Sequence, residues 1–154
     1  MKRLIYLSSA WDQFQPEDLA SLLAVARRNN IRDGLTGVLL FHDGSFMQVL
    51  EGDAEAVDRV FRRIRKDGRH NRILVLSQTE GVTRLFPGWA MALARPDALA
   101  MDDPEGVRPI HKVMEDLRDI EAQDPRVATL MRSFLASFRD LSRPHGTETR
   151  DDSD

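Results

Sequence analysis

The sequence of 154 residues contains no cysteine. Disulfide bonds, thiolate nucleophiles, and zinc or iron–sulfur sites held by thiolates are therefore excluded. The chain also lacks any apolar run of about eighteen residues, and its first residues lead directly into a β-like segment without the apolar region of a signal peptide. We expect a cytoplasmic protein that has no membrane as a partner.

The sequence also lacks a large excess of either charge, because 22 basic and 25 acidic residues leave a net charge of −3. A balance this small argues against nucleic acid as a partner, although it hides a basic segment at residues 59–72. The four histidines are scattered without the spacing of metal ligands, and the sequence has no glycine-rich phosphate loop. We therefore expect neither an enzyme nor a metal site.

The spacing of apolar residues predicts one α+β domain of ordinary size. Strands are predicted at residues 2–8, 35–42, 45–51 and 72–79, and helices at residues 16–30 and 53–66. A short fifth strand is predicted through Trp89, Met91 and Leu93. The order β-α-β-β-α-β plus one strand is ferredoxin-like, with a mixed sheet and two helices packed on one face.

The C-terminal third is predicted to be helical and to cover the other face of the sheet. One helix is predicted near residues 107–121, and a clearer one follows Asp124-Pro125. The apolar stripe of this last helix consists of Val127, Leu130, Met131, Phe134, Leu135 and Phe138. We divide the chain into a domain at 1–95, a helical extension at 96–141 that packs on the sheet or on a partner, and a disordered tail at 142–154.

Three polar residues occupy positions where the pattern favours apolar ones. Asn30 continues the buried stripe of the first helix, Gln48 lies among apolar neighbours in the third strand, and Tyr6, the sole tyrosine, alternates with Leu4 in the first strand. Buried amides and hydroxyls need hydrogen-bond partners. The three groups could bond to one another or to water, or they could together satisfy the edge of a ligand.

Six segments of the chain carry recognisable motifs in a fixed order. They are Leu4 to Ser8, Ala26 to Asn30, Leu35 to Leu40, Phe46 to Gly52, Ile64 to His70, and Phe86 to Met91. Together these segments resemble the BLUF family, the flavin-binding sensors of blue light, over residues 2–94, and the chain is similar to the short members of that family. The resemblance implies a blue-light photoreceptor that binds its flavin without a covalent bond.

In the family that this chain resembles, the flavin lies between the two helices on the sheet. The resemblance implies that Asn30 holds the carbonyl edge of the ring with help from Asn29, and that Gln48 lies between the ring and Tyr6. Asn29 has an alternative reading as a helix C-cap, since asparagine tolerates the left-handed conformation. FAD is the usual family ligand, with FMN or riboflavin as alternatives.

The resemblance also implies a role for the basic segment at residues 59–72. The motif matches a flavin-flanking helix and loop, and its candidate ligand-binding residues are Arg63, Ile64, Asp67, Arg69 and His70. The remaining arginines of this helix match no family position and are interpreted as a solvated face. These are Arg59, Arg62 and Arg65.

The mechanism implied by the resemblance is a light-driven transfer of an electron and a proton from Tyr6, which leaves Gln48 rotated or tautomerised. Trp89 and Met91 would relay the signal, although both could be ordinary core residues. Some family members have a serine where this chain has Ala26, so any hydroxyl support for the glutamine from that position is missing. We expect a separate downstream signalling protein as partner and a homo-oligomer; the alternative is a ferredoxin-like module that binds protein or RNA without photochemistry.

Overall fold

The computed structural model describes residues 1–10, 16–42, 44–68, 70–90, 92–95 and 107–141. Its elements are β1 (Lys2–Ala10), α1 (Pro16–Asp33), β2 (Thr36–His42), β3 (Ser45–Gly52), α2 (Ala54–Lys66), β4 (His70–Glu80), β5 (Ala92–Arg95), β6 (Val107–Pro109), α3 (Ile110–Gln123) and α4 (Pro125–Leu141). One mixed sheet contains the strands in the order β4-β1-β3-β2-β5-β6. The predicted ferredoxin-like plan is confirmed, since β3 pairs with β1 and β2 and the two helical crossovers flank it.

Strands β1 and β3 separate two apolar cores. Side chains alternate between the faces of a strand, so Leu4, Tyr6 and Phe46 point toward α1 and α2. Ile5 and Met47 point to the opposite face and pack under α3 and α4. Because both faces are covered, these strands contain apolar residues at successive positions instead of alternating with polar ones.

Helix α1 extends to Asp33, three residues beyond its predicted end at Asn30. Gly34 then adopts a left-handed conformation with φ of 68°, which a side-chain-free residue tolerates best. The amide of Leu35 donates to the carbonyl of Asn30 at 2.8 Å, and that of Gly34 donates to Ile31 at 3.4 Å. This pattern is a Schellman motif. The alternative reading of Asn29 as the helix C-cap is therefore wrong.

Helices α3 and α4 cover the second face of the sheet, as the apolar stripe of α4 predicts. Val127, Met131 and Leu135 are buried there, while Leu130 and Phe134 are half-buried against the same cluster. Phe138 lies in α4, but its side chain is outside the described residues. Among the helices that the structure describes, none combines the length and apolar character that a membrane span requires.

Two predicted boundaries in the C-terminal half are wrong. The predicted helix at 107–121 begins with strand β6, which pairs in parallel with β5, and α3 starts only at Ile110. The fifth strand begins at Ala92 instead of Trp89. The turn through Gly88, whose φ is 79°, places Trp89 before the strand, where its amide donates to the carbonyl of Phe86 at 3.1 Å.

Candidate functional site

The centre of the candidate site is a hydrogen bond between Tyr6 and Gln48. These residues face each other directly across β1 and β3, and the Tyr6 hydroxyl donates to Oε1 of Gln48. Tyr6 is fully buried and Gln48 is 6% exposed, so the bond lies out of contact with bulk water. The phenol ring also packs against Phe61 of α2, with the ring centroids 5.3 Å apart. Packing and hydrogen bonding together fix the orientation of both side chains.

Gln48 reaches a cleft that opens between α1 and α2. The cleft contains about 600 Å³ of atom-free space, part of it in its open mouth. Its walls are largely aliphatic, and its polar groups are amides together with one arginine and one aspartate. The lining residues are Leu22, Val25, Ala26, Asn29, Asn30, Gln48, Val60, Arg63, Ile64 and Asp67. Apolar walls with a few convergent polar groups are typical of a cofactor site.

Asn30 anchors the last turn of α1 to the loop before β5. Its Nδ2 donates to the carbonyl oxygen of Ala90 at 2.6 Å, and the residue is 1% exposed. Asn29, its neighbour, is half-buried and lines the same cleft. The helix therefore continues past both asparagines and presents their amides at the cleft instead of ending there.

Charged groups lie at the rim of the cleft. Arg63 is half exposed and its Nη1 is 3.9 Å from Oδ2 of Asp33, which also accepts hydrogen bonds from Arg32. The hydrogen bond from Arg32 lowers the pKa of Asp33. Burial opposes this effect, and the charges of Arg32, Arg59 and Arg63 lower the pKa further. The rim thus keeps a negative charge beside the arginines.

Burial raises the pKa of Tyr6 far above its ordinary value of 10.0, and the negative charge of Asp67 raises it further. The phenol consequently keeps its proton at physiological pH and acts as a hydrogen-bond donor. Such a phenol resists simple deprotonation, whereas the loss of an electron would make its proton strongly acidic.

The remaining predicted site residues lie away from the cleft or outside the described residues. Trp89 is half-buried on the opposite face of the sheet, where it packs on Phe86 with a centroid distance of 5.4 Å. Met91 and Arg69 lie outside the described residues, and so does the side chain of His70 at the start of β4. Arg59, Arg62 and Arg65 are exposed, as expected for a solvated face, and Arg65 lies over the Phe61 ring at 4.8 Å.

Several residues of the cleft are not among the sequence-predicted site residues. Val25, Ala26 and Val60 line it, and Val25 is 39% exposed although it is apolar. In the sequence, Ala26 and Val60 look like ordinary positions of the helix stripes. Both helices flank the same strand, and each has an apolar residue at the edge of its stripe. This pattern could have indicated a cleft between the helices.

The comparison with known families decides the identity of this fold. The family model described as BLUF, "Sensors of blue-light using FAD", matches residues 1–92. The chain belongs to the BLUF family. The prediction from the motifs is thus confirmed, and so is FAD as the flavin of the family.

Related proteins agree with this assignment. The chain is 33% identical to photoactivated adenylate cyclase subunit beta of Euglena gracilis over 135 residues, which are 87% of this chain and 14% of that protein. It is 37% identical over 90 residues to the blue light- and temperature-regulated antirepressor BluF of Escherichia coli strain K12, covering 58% of this chain and 22% of the relative.

A solved structure of Klebsiella pneumoniae BlrP1 with FMN and cyclic diGMP superimposes with a TM-score of 0.72 and 30% identity, over 93% of this chain and 36% of that one. The chain therefore spans well under half of each of these relatives. The alternative of a binding module without photochemistry has no support among them.

A BLUF domain is a sensor module, which confirms for this domain the expectation that it is not an enzyme. The residues present fit a flavin, because the cleft offers aliphatic walls for a planar ring and the amides of Asn30 and Gln48 for its polar edge. The cleft thus has the donor set that a flavin ring requires.

Proposed function

We propose that this chain is a blue-light sensor whose switch is the Tyr6–Gln48 pair at the floor of the cleft. The observation that carries the proposal is that one buried glutamine accepts the hydrogen bond of the only tyrosine and also lines the cleft. No other tyrosine in the chain could replace this donor.

A bound flavin supplies absorption of blue light and an excited state that accepts an electron. Tyr6 supplies the electron, and its hydroxyl gives up the proton in the direction of Gln48 Oε1. The phenol regains both when the charges recombine, so no net oxidation of the protein remains. The hydrogen bond prepares this transfer, because the proton already points at its acceptor.

Gln48 stores the result of the transfer. A glutamine amide has one accepting and one donating end, so a rotation by half a turn or a tautomerisation exchanges what the side chain offers to Tyr6 and to the cleft. The two states differ by about one strong hydrogen bond, roughly 1 to 3 kcal/mol, so the dark state returns thermally. The absorption band moves to the red and then recovers without a covalent product.

The walls of the cleft hold the ligand in place. Asn30 and Asn29 would bind the carbonyl edge of the ring, Ile64 would pack on its face, and Arg63 and Asp67 would bind its polar groups at the rim. All five line the cleft. Arg69 and His70 are proposed for the ribityl and phosphate end on the resemblance alone.

The output is proposed to pass to a separate protein. The related antirepressor of Escherichia coli is regulated by blue light, which supports a regulatory partner for this chain. We propose that residues 1–95 sense light and that the extension at 96–141 contributes the helices α3 and α4. We also propose that Trp89 and Met91 relay the signal, and that the protein acts as a cytoplasmic homo-oligomer.

A spectrum of the purified protein tests the proposal. We expect a yellow protein whose flavin bands move to the red under blue light and return in darkness. A colourless protein would favour a binding module, and a yellow one that bleaches while turning over a substrate would favour an enzyme. Either result would contradict the proposal.

A further inference from the structure

A second polar pair joins the same two strands three residues away from Tyr6 and Gln48. Arg3 of β1 faces Glu51 of β3, and Thr36 of β2 faces Glu51 from the other side. The odd spacing turns this row toward α3 and α4, away from the cleft. Arg3 is 4% exposed and Glu51 is fully buried. Two opposite charges are therefore enclosed on the face that carries the C-terminal helices.

Each carboxylate oxygen of Glu51 accepts two hydrogen bonds. Its Oε2 accepts from Nε of Arg3 at 3.4 Å and from the amide of Leu85 at 3.0 Å, and its Oε1 accepts from Thr36 Oγ1 at 2.9 Å and from the amide of Phe86 at 2.7 Å. Two of these donors are backbone amides of the segment that leads to Trp89. The carboxylate thus fastens that segment to the sheet.

Arg3 extends the network to the helices. Its Nη1 donates to Oδ2 of Asp124 at 2.7 Å, and its Nη2 donates to the carbonyl of Thr83 at 2.6 Å. Asp124 lies between α3 and α4, and its Oδ1 accepts from the amides of Arg126 and Val127 at 3.1 and 3.4 Å. One carboxylate therefore caps α4 and binds the sheet at the same time.

We propose that the Arg3–Glu51–Asp124 network is the connection through which a change at Gln48 reaches the start of α4. Glu51 is three residues from Gln48, about 10 Å along the same strand. A shift of β3 would move Glu51 with it, and the network cannot absorb the shift without leaving a buried charge poorly bonded. Arg3, Glu51 and Asp124 act as positioning residues.

The segment at residues 85–90, before β5, is hydrogen-bonded near both of its ends. Glu51 binds its amides at Leu85 and Phe86, and Asn30, which lines the cleft, binds the carbonyl of Ala90. A change in the cleft can thus reach the segment directly or through β3. The hydrogen bonds of Arg3 and Asp124 lead on to the cap of α4, so this path can be tested by a substitution at Asp124.

The test is Asp124→Asn in the flavin-loaded protein. Asparagine keeps the cap oxygen and the shape of the side chain, so α4 should still form. The oxygen that accepts from Arg3 is replaced by an amino group, so this hydrogen bond and the charge are lost together. Glu121→Gln is the matched control, because it removes an exposed ion pair between the same two helices, Glu121 with Arg132 at 2.7 Å, that does not touch the sheet.

Amide hydrogen exchange is measured in darkness and under blue light, together with the red shift of each protein. We expect wild type and Glu121→Gln to show a light-minus-dark difference in residues 125–136, and Asp124→Asn to lose it while keeping the red shift. Arg3→Lys should lose it as well, since one ammonium cannot serve Glu51, Asp124 and the carbonyl of Thr83 in the same geometry. The dark unfolding temperature of each variant measures any purely structural effect separately.

This inference rests on the proposed photochemistry, and the two can fail separately. A wild-type protein without a red shift would overturn both. A normal red shift with no light-minus-dark difference in α4, or an undiminished difference in Asp124→Asn, would overturn the network and leave the photochemistry standing.

Discussion

Replacing Tyr6 by phenylalanine removes one oxygen atom from the centre of the site. The ring remains and keeps its contact with Phe61, and no other tyrosine is present to take over. The cleft is lined by other residues, so flavin should stay bound. We expect the red shift to be abolished, because the hydroxyl supplies the proton that moves toward Gln48.

The cost in stability follows from the same contact. Gln48 loses a buried donor, and a buried acceptor deprived of its partner costs about 1 to 3 kcal/mol. For a chain of this length, each kcal/mol lowers the unfolding temperature by roughly 2 to 4 °C. We therefore expect a decrease of about 2 to 12 °C relative to wild type.

The pH dependence of this difference provides an independent check. Because burial raises the pKa of Tyr6 above 10.0, the folded chain keeps a proton that the unfolded chain loses in alkali. The contribution of Tyr6 to the free energy of unfolding is thus complete below about pH 10 and declines as the pH rises above it. Tyr6→Phe lacks this decline, so the stability gap between the two proteins should narrow above pH 10.

The assay is a light-minus-dark absorption spectrum at equal flavin occupancy. Trp89→Phe is the control, since it removes an aromatic electron donor from the opposite face of the sheet and should leave the red shift intact. A normal red shift in Tyr6→Phe would refute the mechanism. A lost shift in Trp89→Phe with a normal one in Tyr6→Phe would move the donor to the tryptophan.

Three further substitutions test separate parts of the structure. Gln48→Leu should bind flavin but show no light-minus-dark signal, and a wild-type difference spectrum would assign the switch to another residue. Asn30→Ala should purify with less flavin, because it loses the cleft amide that binds the carbonyl of Ala90 at 2.6 Å. Ile31→Ala is the control, since Ile31 is 72% exposed on the same turn and its loss should not change the flavin content. Equal flavin occupancy in the two variants would exclude Asn30 as a ligand contact. Met131→Ala should lower the free energy of unfolding by about 2 to 5 kcal/mol in chemical denaturation, since the side chain is fully buried under the sheet, and a loss below 1 kcal/mol would contradict that burial.

The strands and helices around the cleft could be predicted because their periodicity is strong. The apolar stripe of α2 and the successive apolar positions of β3 leave few alternatives, and the two inward amides stand out as polar exceptions within them. The periodicity indicates the C-terminal end of α1 less clearly. Asn29 and Asn30 resemble a helix end, but Gly34 four residues later provides the left-handed residue that ends it.

Other features depend on partners that are distant in sequence. Strand β6 has only three residues, too few to show an alternation, and exists because β5 offers it a parallel neighbour. The ion pair of Arg3 with Asp124 joins residues 121 positions apart. A charged residue next to Leu4 is normally interpreted as one whose side chain contacts water at the end of a strand. Nothing local in the sequence therefore indicates that Arg3 is buried.

The spacing of Gln48 and Glu51 also determines which changes of length the chain can tolerate. Three positions is an odd number, so one side chain faces the cleft and the other faces α3 and α4. A single inserted or deleted residue between them would turn one of the two to the wrong face and separate its polar group from the partners that bind it. In natural or designed variants of this domain, the length of β3 between these two residues should therefore stay constant.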